Sequence, residues 1–140
     1  MGLILKRQEG IKSRQQEVAR ERFYQKQLAR ENLTQIRTAI LARFEEDRGA
    51  YPKDLSGLVP KYLQDLPVLQ LSDHPRTKEV MLYGDEACTR SRVKGGWIDG
   101  TTLKDTGKWG YVNDKKSTCW GRVFIDCTHV DPKGEFWFLY

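Results

Sequence analysis

An apolar repeat that stops at a glycine and a proline occupies residues 32–52, Asn32-Leu-Thr-Gln-Ile-Arg-Thr-Ala-Ile-Leu-Ala-Arg-Phe-Glu-Glu-Asp-Arg-Gly-Ala-Tyr-Pro52. Within it, Leu33, Ile36 and Ile40 recur every three or four positions, which is typical of a helix with one apolar face. Gly49 supplies a helix stop, and Pro52 turns the chain away. This stretch therefore predicts a helix that packs through one stripe and ends near Gly49.

The helix is predicted to extend far toward the N-terminus. Residues 11–48 contain neither Pro nor Gly and are rich in good helix formers. At about 1.5 Å per residue they form a rod of about 55 Å. Before Leu28 the apolar residues are sparse, namely Ile11, Val18, Phe23 and Tyr24. We therefore expect the C-terminal half to lie against a domain and the N-terminal half to project from it.

Composition indicates one folded domain with an uneven charge. The chain has 140 residues and a net charge of +5. Residues 1–48 hold 11 Lys and Arg against 7 Asp and Glu, whereas all four Trp and all three Cys follow in residues 49–140. No apolar run approaches the length of a membrane span, and no secretory signal is recognisable, so we expect a soluble chain as given.

Residues 49–140 are predicted to form a head of short elements. Asp54 is placed to cap a short helix that carries Leu55 and Leu58. Residues 68–107 are polar and interrupted by Gly, which indicates a long variable loop with one short strand at Val80–Tyr83. In residues 108–140, three aromatic and β-branched runs with turn residues between them predict an antiparallel meander: Trp109–Val112, 122–127 and 135–140.

The predicted fold class is α+β, with the long helix packed on an antiparallel sheet of three to four strands. Val123, Ile125 and Cys127 are expected to share one face of the middle strand, with Phe124 and Asp126 on the other. The expected helix–sheet core consists of Leu33, Ile36, Ile40, Phe44, Trp109, Tyr111, Val123, Ile125 and Trp137.

Several segments, taken in order, resemble a known family. After the helix stretch come residues 51–67, Tyr51-Pro-Lys-Asp-Leu-Ser-Gly-Leu-Val-Pro-Lys-Tyr-Leu-Gln-Asp-Leu-Pro67. Later come Thr106-Gly-Lys-Trp-Gly-Tyr-Val-Asn113, then Trp120-Gly-Arg-Val-Phe-Ile-Asp-Cys-Thr-His129 and a terminal aromatic segment. Together they resemble bacterial type IV pilin-like proteins, in particular the pseudopilins of type II secretion. The resemblance covers about residues 28–67 and 105–140.

This resemblance implies a pilin-like roll that serves as a filament subunit without enzymatic activity. It further implies an inner-membrane anchor before assembly and a periplasmic or extracellular head. The implied partners are other pilin or pseudopilin subunits and the inner-membrane assembly machinery. Val18, Phe23, Tyr24 and Leu28 are the expected filament contacts, the alternative being a patch that folds back on the head.

The N-terminus departs from the family. Pilins begin with a cleavage site followed by about 20 apolar residues, whereas this chain begins Met1-Gly-Leu-Ile-Leu-Lys6. We expect that the membrane segment was removed or that it lies upstream of an internal Met. This chain by itself is then not expected to enter a filament.

Residues 127–131 hold a candidate chemical group, Cys127, His129 and Asp131. In an extended strand, Cys127 and His129 lie about 6.6 Å apart, too far for direct proton transfer. Four zinc ligands in paired spacing are absent from the sequence, and so are the nucleophile-elbow and phosphate-loop motifs. The sequence therefore favours a structural role for this trio, no enzymatic activity and no metal centre.

Calcium is the one cofactor that the resemblance brings into question, because major pseudopilins commonly hold it beside the sheet. Calcium takes about six to eight oxygen ligands. The candidates are Asp99, Asp105, Asp114, Asp126 and Asp131, but they form no calcium-loop spacing. Solvated turn aspartates are the favoured interpretation, so no cofactor is expected.

The basic N-terminal helix offers an alternative function, a module that binds nucleic acid or a membrane surface. Its cations are Lys12, Arg14, Arg20, Arg22, Lys26 and Arg30. They alternate with Glu9, Glu17, Glu21 and Glu31, which is typical of a solvated helix with pairs three or four residues apart. No nucleic acid is therefore expected as a partner.

Three cysteines leave the disulfide state open. A continuous strand from Trp120 to Asp126 separates Cys119 from Cys127 by about 26 Å, which is too far for a disulfide. A bridge then requires Cys88, with Cys119 as its more accessible partner and Cys127 as a buried thiol. Three free thiols, as in a reducing compartment, remain the alternative.

Overall fold

The computed structural model describes residues 2–89 and 96–140, with side chains from Ser13 onward. It is an α+β fold with one long helix, α1 (Gly2–Glu46), and three strands, β1 (Val80–Tyr83), β2 (Trp109–Val112) and β3 (Val123–Ile125). Short 3₁₀ turns lie at Leu55–Leu58, Asp85–Ala87, Gly100–Thr102 and Trp137–Leu139. Among these residues, no helix has both the length and the apolar character of a membrane span.

Helix α1 is docked along only part of its length. Residues 13–24 are all exposed, whereas the buried positions begin at Lys26 and continue through Ala29, Leu33, Ile36 and Ile40. The helix ends where the sequence predicts: Gly49 has φ +92°, and its N–H donates to the Phe44 carbonyl. Glycine adopts this conformation at little cost, which closes the last turn. Asp54 then caps the Leu55–Leu58 turn through the Leu55 N–H.

The sheet is mixed, so the prediction of an all-antiparallel sheet is wrong. The strand order is β1-β2-β3, in which β2 and β3 are antiparallel and β1 runs parallel to β2. Strand β1 has the predicted bounds. It pairs with the edge of β2 opposite to β3, an edge that had no partner in the predicted meander. Its connection to β2 is long enough for the crossover that a parallel pair requires.

The third predicted strand, residues 135–140, does not join the sheet. Its one ladder contact is an isolated bridge between Val130 and Phe136, and a 3₁₀ turn follows at Trp137–Leu139. Trp137 is buried in the core shared with the helix, and the centre of its ring lies 4.8 Å from that of Tyr140, with the two rings tilted by 36°. Of the aromatic side chains in this segment, Trp137 is buried, Phe138 and Tyr140 are half-buried and Phe136 is 44% exposed, so the segment packs mainly through Trp137 without the hydrogen bonds of a strand.

Both faces of β3 are buried. Val123 and Ile125 lie in a cluster with the helix stripe, Trp109, Tyr111 and Trp137. Phe124 lies in a second cluster with Tyr83, Val112, Cys88 and Cys119 on the opposite face. Of the expected helix–sheet core, only Phe44 falls outside the first cluster; it is half-buried, with its ring 4.5 Å from that of Tyr51.

Much of the predicted loop, residues 68–107, is ordered by short pairings. Leu69 pairs with Thr77, Cys88 pairs with Ile98, and two 3₁₀ turns lie at Asp85–Ala87 and Gly100–Thr102. Residues 90–95 of this loop lie outside the described residues. The segment covers the second face of the sheet, because Ala87, Cys88 and Ile98 are buried in the cluster around Phe124.

Candidate functional site

Four side chains with metal-ligand chemistry meet at one end of the sheet: His74, Asp105, Cys127 and His129. One candidate atom from each lies within 4.8 Å of the others. Asp105 Oδ1 is 3.1 Å from His74 Nε2 and 3.4 Å from His129 Nδ1. Cys127 Sγ is 3.4 Å from the same His129 nitrogen. We call these four residues the His–Asp–Cys cluster.

The cluster lies where β2 begins and β3 ends, because these two strands are antiparallel. Asp105 precedes β2, and Cys127 and His129 follow β3. His74 arrives from a separate segment, the turn between the paired residues Leu69 and Thr77. Three stretches that are distant in sequence therefore converge here, and the two histidines of the chain are both part of the cluster.

Gly107 provides the space for the His74 ring. A Cβ atom at this position would lie 2.2 Å from His74 Cγ, and Gly107 has φ +72°. Any larger residue would therefore displace the imidazole and also adopt an unfavourable backbone conformation. The glycine of the Thr106-Gly107 sequence is thus required for His74 to reach Asp105.

A buried carboxylate on the opposite face supports the segment that carries Asp105. Asp126 accepts hydrogen bonds from the Tyr83 hydroxyl at 2.8 Å and from Thr106 Oγ1 at 2.5 Å. The Tyr83 hydroxyl in turn accepts from the Lys104 N–H at 2.8 Å. Residues 104–106 are thereby held on both sides of Asp105, which fixes the position of its carboxylate.

Two pKa shifts describe the electrostatics of the cluster. Burial opposes ionisation of Asp105, but the Thr128 N–H and the two imidazoles outweigh it, so the pKa of Asp105 lies below its usual value. Burial raises the pKa of the Cys127 thiol to about 12, and the nearby Asp105 charge acts in the same direction. Cys127 is therefore a neutral, buried thiol beside a charged carboxylate.

The prediction that Cys127 and His129 lie too far apart is wrong. The chain leaves the extended conformation after Ile125, since the Cys127 N–H donates to the Ile125 carbonyl at 2.9 Å. Residues 127–129 are therefore not part of a regular strand, and the Cys127 sulfur lies 3.4 Å from His129 Nδ1. Strand β3 is three residues long, and the distance calculated for a continuous strand does not apply.

Asp131 belongs to a different group from the one expected. It forms a buried ion pair with Lys26, whose Nζ lies 3.1 Å from Asp131 Oδ2. It also accepts from the Tyr140 hydroxyl and from the N–H groups of Lys133 and Glu135. Burial opposes ionisation, but these partners outweigh it and hold the pKa of Asp131 well below its usual value.

The structure does not bring the calcium candidates together. Asp99 caps a 3₁₀ turn through the Thr101 N–H, and Asp114 accepts from the Lys116 N–H in another turn. Asp105 is in the His–Asp–Cys cluster, whereas Asp126 and Asp131 are buried in separate hydrogen-bond groups. The interpretation of all five as solvated turn residues is therefore wrong for Asp126 and Asp131.

The expected filament contacts are distributed around the helix. Val18, Phe23 and Tyr24 are exposed to 52%, 49% and 59%. Leu28 is half-buried beside Val68 and Gln70. Five residues of helix correspond to a rotation of about 140°, so Phe23 points away from both Val18 and Leu28. Tyr24 and Leu28 are four positions apart and share a face of the helix, whereas Phe23 lies on another face, so the expected contacts occupy more than one face.

The structure pairs Cys88 with Cys119 in a disulfide, with Cα atoms 5.9 Å apart, and leaves Cys127 as a buried free thiol. The sequence allowed this arrangement and left three free thiols as the alternative, and the continuous strand assumed in that inference is absent. Gly121, with φ +82°, interrupts the extended conformation between Cys119 and β3.

Sequence reasoning overlooked His74 as a partner of Cys127 and His129. No other metal-ligand residue stands near His74 in the spacing of a known metal motif, and only the fold brings His74 to Asp105, 31 residues away.

Comparison of the chain with models of protein families, with characterised proteins and with solved structures finds no match.

Proposed function

We propose that this chain is a structural subunit of a pilin-like filament, a type II secretion pseudopilus or a type IV pilus-like assembly, with no enzymatic activity. In this proposal the fold is a pilin-like roll, and the subunit packs through the N-terminal half of α1. The proposal rests on the resemblance of residues 28–67 and 105–140 together with the form of the helix.

The main observation is the division of α1. Residues 13–24 have no buried position, whereas residues 26–40 hold a continuous buried stripe. A helix that projects from its own head gains no stability there from tertiary packing, which supports most helices in proteins. Exposed Val18, Phe23 and Tyr24 on several sides suit a helix that neighbouring subunits surround.

The disulfide between Cys88 and Cys119 supports the proposed location of the head. Disulfides persist in the periplasm and outside the cell and are rare in a reducing cytosol. We therefore propose a periplasmic or extracellular head on a subunit held at the inner membrane before assembly. Its partners are then other pilin-like subunits and the assembly machinery.

The contacts of the basic helix give no support to nucleic-acid or membrane-surface binding. Lys26 is buried against Asp131, and the Arg30 guanidinium lies 5.1 Å from the centre of the Tyr140 ring. Arg14, Arg20 and Arg22 are exposed, but Glu17 and Glu21 are exposed among them. The cations of this helix thus partly serve the fold itself, and we propose no second function.

The proposal is tested by photo-cross-linking in the native cells. A benzophenone amino acid replaces Phe23, and in a matched strain it replaces Trp97, which is 61% exposed on the head. Both changes replace one exposed aromatic side chain by another and leave the core untouched. Ultraviolet light should link Phe23-substituted subunits into a ladder of dimers and larger products that contain only pilin-like subunits.

The Trp97 strain measures contacts made by the head alone and should give a weaker ladder. Equal ladders from both positions, or none from position 23, would contradict packing through the projecting helix. A salt-sensitive complex with duplex DNA at about 0.1 M salt would instead favour the alternative function.

A further inference from the structure

We propose that His74, Asp105, Cys127 and His129 bind one zinc ion in a four-coordinate site. The inference concerns the isolated head and is independent of the proposed filament role. It rests on the convergence of two imidazole nitrogens, one carboxylate oxygen and one sulfur within 4.8 Å of one another.

The spacing of these atoms suits a tetrahedral ion. Zinc bonds of about 2.0–2.3 Å to nitrogen, oxygen and sulfur give a tetrahedron with edges of about 3.3–3.8 Å. Three of the distances in the cluster are 3.1, 3.4 and 3.4 Å, from Asp105 to His74, from Asp105 to His129 and from Cys127 to His129. The remaining distances are at most 4.8 Å, so the ligands need to move by about 1 Å or less.

The types of ligand select zinc over the hard cations. Calcium and magnesium prefer shells of oxygen, whereas this cluster offers one carboxylate. Imidazole and thiolate ligands suit zinc, which accepts nitrogen, sulfur and oxygen in one tetrahedral shell. Zinc binds the thiolate form, so the Cys127 thiol releases its proton to solvent when the ion binds. The calcium site considered from the sequence consisted of aspartates alone, whereas this cluster contains two imidazoles and a sulfur.

The cluster is already held in position from outside. Asp105 Oδ1 accepts the Thr128 N–H at 2.9 Å, Gly107 leaves space for the His74 ring, and Asp126 fixes the segment before β2. Supporting contacts of this kind orient metal ligands and raise affinity. Cys127 is fully buried, whereas the His129 side chain is 44% exposed, which gives an ion a path from solvent.

Four protein ligands complete a tetrahedral shell and leave no open position for a substrate. We therefore assign the site a structural role rather than a catalytic one. The ion would join the His74 turn, the residues before β2 and the residues after β3. Its expected effect is to hold together the end of the sheet at which these three segments meet.

The first measurement is a calorimetric titration of the metal-free, disulfide-intact chain with Zn²⁺. Thermal unfolding is then measured at several zinc concentrations. We expect one zinc ion per chain and a melting temperature that rises with zinc concentration. Titration with Co²⁺ should give the intense visible bands of a tetrahedral ion and a sulfur-to-cobalt charge-transfer band in the near ultraviolet.

Two variants identify the ligands. His129→Gln changes an exposed side chain and should weaken zinc binding by about 100-fold or more, since changes in supporting residues alone cost about 10–100-fold. Cys127→Ser should abolish the charge-transfer band. Asp73→Asn is the matched control, because Asp73 is an exposed carboxylate next to His74 that lies outside the cluster.

Three results would overturn the proposal: no zinc binding by the folded wild-type chain, unchanged affinity in folded His129→Gln, or the weak spectrum of octahedral cobalt. The first of these would mean that the cluster is a hydrogen-bonded group that ties three loops together. Circular dichroism of each variant establishes that it is folded, and His129→Gln provides the test if Cys127→Ser is not.

Discussion

Lys26 is a charged residue whose role depends on its burial in the fold. It lies in a basic, polar part of α1, yet its side chain is only 4% exposed and pairs with Asp131, which is fully buried. Its Nζ also lies 6.0 Å from the centre of the Tyr140 ring. This lysine marks the point at which the helix meets the head, and its charge is matched inside the fold.

Removal of the Lys26 charge should destabilise the protein strongly. Lys26→Met leaves the Asp131 carboxylate buried without its cation, a change that typically costs about 3–5 kcal/mol. The matched control is Lys61→Met, which breaks an ion pair with Glu46 whose side chains are 68% and 54% exposed. That change should leave the urea midpoint almost unchanged, because an exposed ion pair is solvated and screened.

The measurement is urea unfolding of both variants, followed by tryptophan fluorescence. A difference in midpoint at constant slope gives the difference in stability. Equal costs for the two variants would mean that the Lys26–Asp131 pair is solvated in the protein, against the burial described above.

At the scale of the element, α1 has an exposed part, residues 13–24, and a docked part that begins at Lys26, along one continuous helix. Ile36 and Ile40 are 0% and 3% exposed, whereas Val18 is 52% exposed. Arg37 adds polar contacts to the docked part, since its guanidinium donates to the Val123 carbonyl at 3.2 Å and to the Tyr140 main-chain oxygen at 2.6 Å. The contacts that dock the helix therefore begin at Lys26, and the buried apolar ones lie in residues 26–40.

Two alanine substitutions in the same helix compare the docked part with the exposed part. Ile40→Ala creates a cavity in the core and should lower stability by about 2–5 kcal/mol. Val18→Ala removes exposed surface and should change the stability of the monomer by less than about 0.5 kcal/mol. Thermal unfolding of dilute monomer provides the comparison, and similar losses at both sites would mean that the helix is packed along its whole length.

At the scale of the whole molecule, the sheet separates two clusters of buried residues. The helix covers one face, and the Cys88–Cys119 disulfide lies in the cluster on the other. The disulfide joins residues 31 positions apart, one in the crossover and one in the turn before β3. It fastens the covering of the second face, in which the described residues form short 3₁₀ turns and isolated bridges and no long helix.

Loss of this disulfide should destabilise the head by about 3–4 kcal/mol in the chain-entropy account, given its sequence separation of 31. The Cys88→Ala/Cys119→Ala variant measures this loss in urea, with Cys127→Ala as the comparison that leaves the disulfide in place. Peptide mapping without reduction identifies the linked pair. A Cys119–Cys127 link or three free thiols would contradict the structure.

The sequence by itself determined the features that depend on nearby residues. The helical repeat from Leu33 to Ile40, the stop at Gly49 and the Asp54 cap follow from local periodicity and backbone preference. The bounds of β1 and β2 were also predictable, because short β-branched and aromatic runs between turn residues favour strands. For a disulfide, the sequence indicated Cys119 as the partner of Cys88, but it did not decide between that bridge and three free thiols.

Only the tertiary structure decided which distant residues meet. Strand propensity does not state whether β1 pairs parallel to β2, and an aromatic run such as residues 135–140 gains burial equally well against a helix. The meeting of His74 with Cys127 and the burial of Lys26 against Asp131 depend on contacts between remote segments. No local pattern encodes such contacts, since they arise from the free energy of packing the whole chain.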